Sequence, residues 1–343
     1  MQAGRGQGAA SSAHLNRRLL ALLGGAAILA LVGERLGSGP FLAALEAVTP
    51  GTLVAAVGIG LLTTGLSAWR WTLVAGALGL RLPLRGAVAD YYQALFLNGV
   101  LPAGVLGDVD RAVRHGRAVG DLATATKVVV LERTAGQLVL VAAGVAALVA
   151  NPWVLPWSVR TIPSSGRPTS GSLVAGLIAG SIAGLIAIVV IRRVVRRRRP
   201  GRPSVWRGWA ADARRGLFGA GHGAGIFAAS GLALLGYLAT FVLAARASGA
   251  TAPLRQLVPV MLVALLAMSL PLSIGGWGAR EGATVWGFAA TGLDAAQGLT
   301  IALVYGLCVF VASLPGAVVL VGRSTARARA DRDPTAQVLI PVR

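Results

Sequence analysis

The chain has 343 residues, 55% of them hydrophobic and only 13% charged, and its mean hydropathy is +0.71. Soluble domains carry about 25% charged residues, so this composition excludes an ordinary soluble enzyme or binding module and points to an integral membrane protein. The net charge of +20 falls in short loops between apolar runs. That is the pattern of positive loops on the cytoplasmic side, and with no zinc or stacking motif beside it, it argues against nucleic acid as a partner.

Arg17 and Arg18 precede the first apolar run, Leu19 to about Val32. No small-residue cleavage site and exported domain follow it, so it reads as a first span rather than a signal peptide. A second span runs from about Thr52 to Trp71, with Trp69 and Trp71 placed like interfacial anchors; Arg70, Arg81 and Arg85 then put its end in the cytoplasm.

The following segment, GAVADYYQALFLNGVLPAGVLGDVDRAVRHGR, is too polar to face lipid. Asp90, Gln93, Asn98, Asp108 and Asp110 interrupt it, and Pro102 with Gly104 and Gly107 breaks any helix. Arginines stand at both of its ends, so it enters and leaves on one face. Such a re-entrant segment is tolerated only where its backbone is buried in protein or lines a wet cavity.

A third span, about Leu122 to Ala150, carries Lys127, Glu132 and Arg133 in its first half, and its exit loop is rich in Pro, Ser and Trp, as expected of the outer face. The fourth span, Leu173 to Ile191, ends in RRVVRRRRPGRP, and ten arginines lie between residues 192 and 215. This loop is expected in the cytoplasm, beside anionic membrane lipids that gain about 1 kcal/mol per nearby basic residue. A fifth span lies within Gly216 to Ala245. A sixth runs from about Ala295 to Val321 and is followed by Arg323, Arg327, Arg329 and Arg332.

The expected organisation is a cytoplasmic tail over residues 1–18, one polytopic membrane domain over 19–322 containing the Arg-rich loop 192–215, and a cytoplasmic tail over 323–343. Both termini are cytoplasmic, in the cell membrane of a bacterium. The fold class is all-α integral membrane, with about six full transmembrane helices (six to eight) and two re-entrant helical turns.

The second turn is PLSIGGWGARE, residues 271–281. LPAGVLGDVDR, Leu101 to Arg111, and LPLSIGGWGAR, Leu270 to Arg280, both place glycine five residues after the proline and arginine nine after it. The first copy lies between spans two and three and the second between spans five and six, which run in the opposite sense. Inverted repeats around broken helices are a common plan of secondary transporters, with the substrate site near the midplane.

The set YYQALFLNGVLPAGVLGDVDR, LERTAG and PLSIGGWGARE resembles the signature of the lysylphosphatidylglycerol synthase transmembrane, or flippase-like, domain family, over roughly residues 15 to 322. The resemblance implies translocation of lipids or lipid-linked sugars between leaflets. Its motifs fall on Asn98, Pro102, Gly104, Gly107, Asp108 and Arg111, on Glu132 and Arg133, and on Pro271, Gly275, Gly276, Gly278, Arg280 and Glu281. Leu106 stands where the family usually has a second glycine, and Tyr305 where it often has a basic residue. The aminoacyl-transferring soluble domain of some members is not expected after residue 322, nor with it the synthesis of lysylphosphatidylglycerol.

Charges within a membrane line cavities or pair with one another, because each is worth about +2.5 to +3.5 kcal/mol at the bilayer centre. Glu132 and Arg133 are adjacent on a helix and diverge by about 100°, so each needs a partner elsewhere. Pairs across the repeats, Glu132 with Arg280 and Arg133 with Glu281, are the expectation. The candidate substrate-binding set is Asn98, Asp108, Arg111, Glu132, Arg133, Arg280 and Glu281. The candidate structural set is Pro102, Gly104, Gly107, Pro271, Gly275, Gly276 and Gly278.

The arginines can grip phosphate at two points; the alternatives are a purely architectural network and proton coupling through the carboxylates. No metal site, cofactor or catalytic residue is expected, since a lone cysteine, Cys308, precludes a cysteine cluster and no histidine pair accompanies the DVD carboxylates. The reading is a transporter of an anionic phospholipid or polyprenyl-linked sugar phosphate. A membrane enzyme of lipid-linked sugar metabolism and a non-transporting scaffold remain the alternatives.

Overall fold

A computed structural model describes residues 38–101, 104–150, 205–219, 221–269 and 277–330. The expected first span, Leu19 to Val32, the fourth, Leu173 to Ile191, and the motif residues Pro102, Pro271, Gly275 and Gly276 lie outside the described residues.

Helix α1 is Gly39–Ala47, α2 Pro50–Ala77, α3 Leu84–Val100, α4 Leu106–Val119, α5 Leu122–Ala150, α6 Val205–Phe218, α7 Gly223–Ala247, α8 Leu254–Met268, α9 Ala279–Ala290, α10 Ala295–Ser313 and α11 Pro315–Ala330. No β-strand occurs among the described residues. The segments Pro50–Ala77, Leu122–Ala147, Gly223–Ala247 and Ala295–Ala326 are each long and apolar enough to cross a membrane. The protein is therefore an all-α, multi-pass membrane protein.

Local chemistry fixes the helix ends. Thr49 Oγ1 caps α2 by accepting from Thr52 N at 3.2 Å, with Pro50 in the first turn. Asp294 caps α10 through Ala296 N and Gln297 N at 3.0 and 3.2 Å. Gly120 closes α4 in the left-handed region, at φ 73°. Within the spans, hydroxyls turn back on their own helix: Thr126 Oγ1 donates to Leu122 O at 2.8 Å and Thr240 Oγ1 to Gly236 O at 3.0 Å. That satisfies them without water.

Two sets of helices, α1–α5 and α6–α11, pack with the same pattern. The long helices α2 and α7 pair at the centre, and α2 turns small buried residues, Ala56, Thr63, Thr64 and Ser67, inward. Helix α3 packs on α4 as α8 packs on α9, and α4 on α5 as α9 on α10. Helix α5 reaches across to α8, as α10 and α11 reach across to α3; α6 lies on α5 as α1 lies on α10. Exchanging the two sets leaves these pairings unchanged. Two apolar cores result, one around Trp71, Tyr91 and Val128 that also takes in Leu217 and Ile226 of α6 and α7, the other around Phe241, Phe288 and Tyr305 that also takes in Ala44 and Ala56 of α1 and α2.

The end of the Arg-rich loop forms helix α6. Helix α6 docks through Asp212, whose carboxylate takes hydrogen bonds from Lys127 Nζ and Arg215 Nη2, both at 2.8 Å. The Lys127 bond, with Arg215 beside it, holds the Asp212 carboxyl below its ordinary value. A depressed carboxyl stabilises the docked form above its ordinary pKa, near 4, and loses that contribution as pH falls through its folded value. Asp212→Asn should therefore raise hydrogen exchange of the α6 amides at neutral pH. The wild type should show the same rise only in acid.

Candidate functional site

The break between α3 and α4 brings the first polar cluster together. Asn98, near the end of α3, accepts from Gly107 N at 2.8 Å through Oδ1 and donates from Nδ2 to Asp108 Oδ2 at 3.3 Å. Asp108 in turn receives Arg111 Nε at 2.9 Å and Arg133 Nη2 at 2.7 Å. Gly107 is required by contact: a Cβ there would lie 2.1 Å from Ala94 O.

Beneath this cluster Glu132 is wholly buried. Its Oε1 accepts from Arg70, with Nε at 2.9 Å, and from Tyr91 OH at 3.3 Å, and its Oε2 accepts from Arg111 Nη2 at 2.5 Å. The Arg111 guanidinium sits over the rings of Trp71 and Tyr91, at 4.8 and 4.6 Å from their centroids. Arg70 Nη1 also donates to Ser230 Oγ at 3.1 Å, which ties the network to α7. One carboxylate thus pairs with two guanidinium groups, from α2 and α4, on α5, in surroundings where an unpaired charge is costly.

The second set repeats the motif in different residues. Glu281, three residues into α9, turns back so that Oε2 accepts from Gly278 N at 2.6 Å, where Gly278 at φ 90° takes a backbone turn open to glycine. Arg280 Nε donates to Glu281 Oε1 at 3.0 Å, and the guanidinium lies over Trp277 and Tyr305 at 4.7 and 5.4 Å. Arg111 and Arg280 are thus both held between two aromatic rings, Arg111 by two carboxylates, Asp108 and Glu132, and Arg280 by one, Glu281. Glu132 and Tyr305 each stand ten residues after the first residue of their helix.

Three expectations are corrected. Glu132 pairs with Arg70 and Arg111, Arg133 with Asp108, and Arg280 with Glu281, so the pairs across the repeats do not form. The helix-capping bond of Glu281 and the flexible reach of Arg280 let neighbours in sequence pair, which side-chain divergence along a helix does not anticipate. Arg70 does not mark a cytoplasmic loop: α2 continues to Ala77 and Arg70 is buried within it. Trp71 likewise is buried against Arg111 and His115 rather than anchored at an interface. A charge seven residues inside an apolar helix was the available signal for Arg70.

Asp108 and Asp110, two apart on α4, face different partners. Asp110 Oδ2 accepts from Gln93 Nε2 at 2.9 Å and pairs with Arg114, while Asp90 holds Arg323 Nη1 at 2.6 Å. This separate cluster fastens α3, α4 and α11. No group of three or more metal-ligating side chains occurs among the described residues.

Between the two sets lies a cavity of about 410 Å³, in the usual range of roughly 300–1,000 Å³ for small-molecule sites. Asn98, Asp108 and Arg133 line it from the first set and Trp277, Arg280 and Gly306 from the second. Gly104 also lines it, whereas Arg111, Glu132 and Glu281 do not and lie buried behind it. Arg133 differs from the buried Arg70, Arg111 and Arg280, because its side chain is 42% exposed.

A family model described as the lysylphosphatidylglycerol synthase TM region matches residues 18–316. No curated protein and no solved structure matches the chain. The match covers the central cavity, both arginine clusters and every described helix except α11 beyond Gly316, and the chain belongs to the lysylphosphatidylglycerol synthase transmembrane-region family.

Proposed function

We propose that the protein is a flippase-like transporter that moves a phosphate-headed lipid, an anionic phospholipid or a polyprenyl-linked sugar phosphate, between the leaflets of the cell membrane. The observation that carries this reading is the central cavity, in which guanidinium groups from both helix sets, Arg133 and Arg280, face one space. Arg133 has the more exposed side chain, with Nη2 bonded to Asp108 and Nε buried without a partner, and a phosphate would compete with Asp108 for its guanidinium. Membership in a family associated with membrane lipids supports the same reading.

In this reading the α3–α4 and α8–α9 pairs are re-entrant, one from each face, and the two sets are inverted repeats that rock about the site. Both termini and the Arg-rich loop 192–215 lie in the cytoplasm, the loop against anionic headgroups. Arg111, Glu132 and Glu281 hold the frame, and substrate contact narrows to Asn98, Asp108, Arg133 and Arg280.

A ligand that binds only the folded state raises its stability, by about 2.7 kcal/mol at a concentration 100 times Kd. Dioleoylphosphatidylglycerol should therefore raise the Tm of the detergent-solubilised protein, and dioleoylglycerol, which lacks phosphate, should not. Arg133→Gln should abolish the shift. Equal shifts from both lipids, or an undiminished shift in Arg133→Gln, would leave the arginines an architectural role only.

A further inference from the structure

A second concavity, of about 560 Å³, runs between α4 and α5 on the outer side of the bundle. Val109 and Val113 form one wall and Val130, Leu138 and Val141 the other. Val109, Val130, Leu138 and Val141 are exposed. Exposed valines and leucines are ordinary on a lipid-facing helix. What sets this groove apart is its inner end, because Val105, Asp108, Arg133 and Gln137 line it and the central cavity alike. The Asp108–Arg133 pair thus stands at the junction of a polar chamber and an apolar channel. An amphiphile with an anionic head and a hydrocarbon tail has that same division.

We infer that the α4–α5 groove is a binding site for one hydrocarbon chain of the transported lipid, placing the lipid phosphate at Arg133. The inference rests on the transporter reading above and adds where the tail lies and by which side the lipid reaches the cavity. A chain in the groove leaves hydrocarbon for hydrocarbon, so it gains little from the hydrophobic effect. The groove orients the lipid and leaves affinity to the arginines.

The direct test places a photoreactive benzophenone amino acid at Val130 of the full chain, in vesicles of dioleoylphosphatidylcholine with a minority of dioleoylphosphatidylglycerol. The same probe at Val109 serves where the Val130 variant does not fold, and Val318, exposed on α11, reports the surrounding lipid. Mass spectrometry identifies the adducts. The expected result is several-fold enrichment of phosphatidylglycerol at Val130 over its share of the bilayer, no enrichment at Val318, and loss of enrichment in Arg133→Gln.

Adducts at Val130 that mirror the bilayer composition would overturn the inference. So would adducts to residues 173–191 of this chain, which would assign the groove to its own segment. Either result beside an intact, Arg133-dependent Tm shift would remove the groove and leave the transporter reading standing. Loss of the shift as well would remove both.

Discussion

Glu132→Ala should lower the stability of the folded protein by about 3 to 5 kcal/mol, as expected when one partner of a buried ion pair is removed. The carboxylate is fully buried and is the shared partner of Arg70 and Arg111. Without it, Arg70 loses the partner it reaches from α2. Arg111 keeps Asp108 and its two aromatic faces. Two like charges are then left close together in the low-dielectric interior.

The loss should appear in detergent unfolding as a large drop in Tm, with little wild-type-like protein recovered in membranes. Double mutants locate the partner. Glu132→Leu combined with Arg111→Leu should be less damaging than the sum of the single changes, because no unpaired charge of that couple remains, whereas Glu132→Leu with Arg280→Leu should be additive. Additivity in the first and coupling in the second would restore the pairing across the repeats.

Gly107→Ala should destabilise the protein by about 1 to 3 kcal/mol from overpacking. The added Cβ would fall 2.1 Å from Ala94 O and 2.6 Å from Ala94 Cα. Both are backbone atoms of α3 and cannot swing aside, so α3 and α4 must separate. That movement also stretches the 2.8 Å hydrogen bond from Gly107 N to Asn98 and with it the seat of Asp108. Gly86→Ala on the same helix pair is the control, because its Cβ would meet only Pro83 Cγ, at 3.7 Å. It should leave Tm unchanged or slightly raised, since alanine is the better helix former. A Gly107→Ala protein as stable as Gly86→Ala would refute the tight α3–α4 contact.

The long spans were legible because their signal is composition. Leu122 to Ala150 agrees with the helix, and the broken segment after residue 100 was marked by Pro102, Gly104 and Gly107. The short likeness of LPAGVLGDVDR to LPLSIGGWGAR pointed to a repeat that the packing of α1–α5 and α6–α11 now expresses at every major contact. Pairing was not legible, because it depends on how each helix is rotated about its axis and on where the chain returns. Arg70 was counted among loop charges because Trp69, Arg70 and Trp71 look like a membrane boundary, yet α2 runs two turns further. The aromatic cage of Arg111 joins residues 71, 91 and 111 from three helices, and no local pattern announces it. Helix α1 was missed because nine residues of mostly apolar chain carry no periodicity to read.

In the proposed transporter the Arg133 guanidinium binds the phosphate of a lipid that crosses the membrane through the cavity between the two helix sets. The most direct test of this role is leaflet accessibility of a fluorescent phosphatidylglycerol in proteoliposomes, comparing wild type with Arg133→Lys at matched protein density and measured Tm. Lysine keeps the charge but loses the two-point contact, so translocation should fall about tenfold, equivalent to ~1.4 kcal/mol, while Tm stays within a few degrees of wild type. Wild-type translocation in Arg133→Lys, or a rate in wild-type vesicles no greater than in protein-free ones, would contradict it.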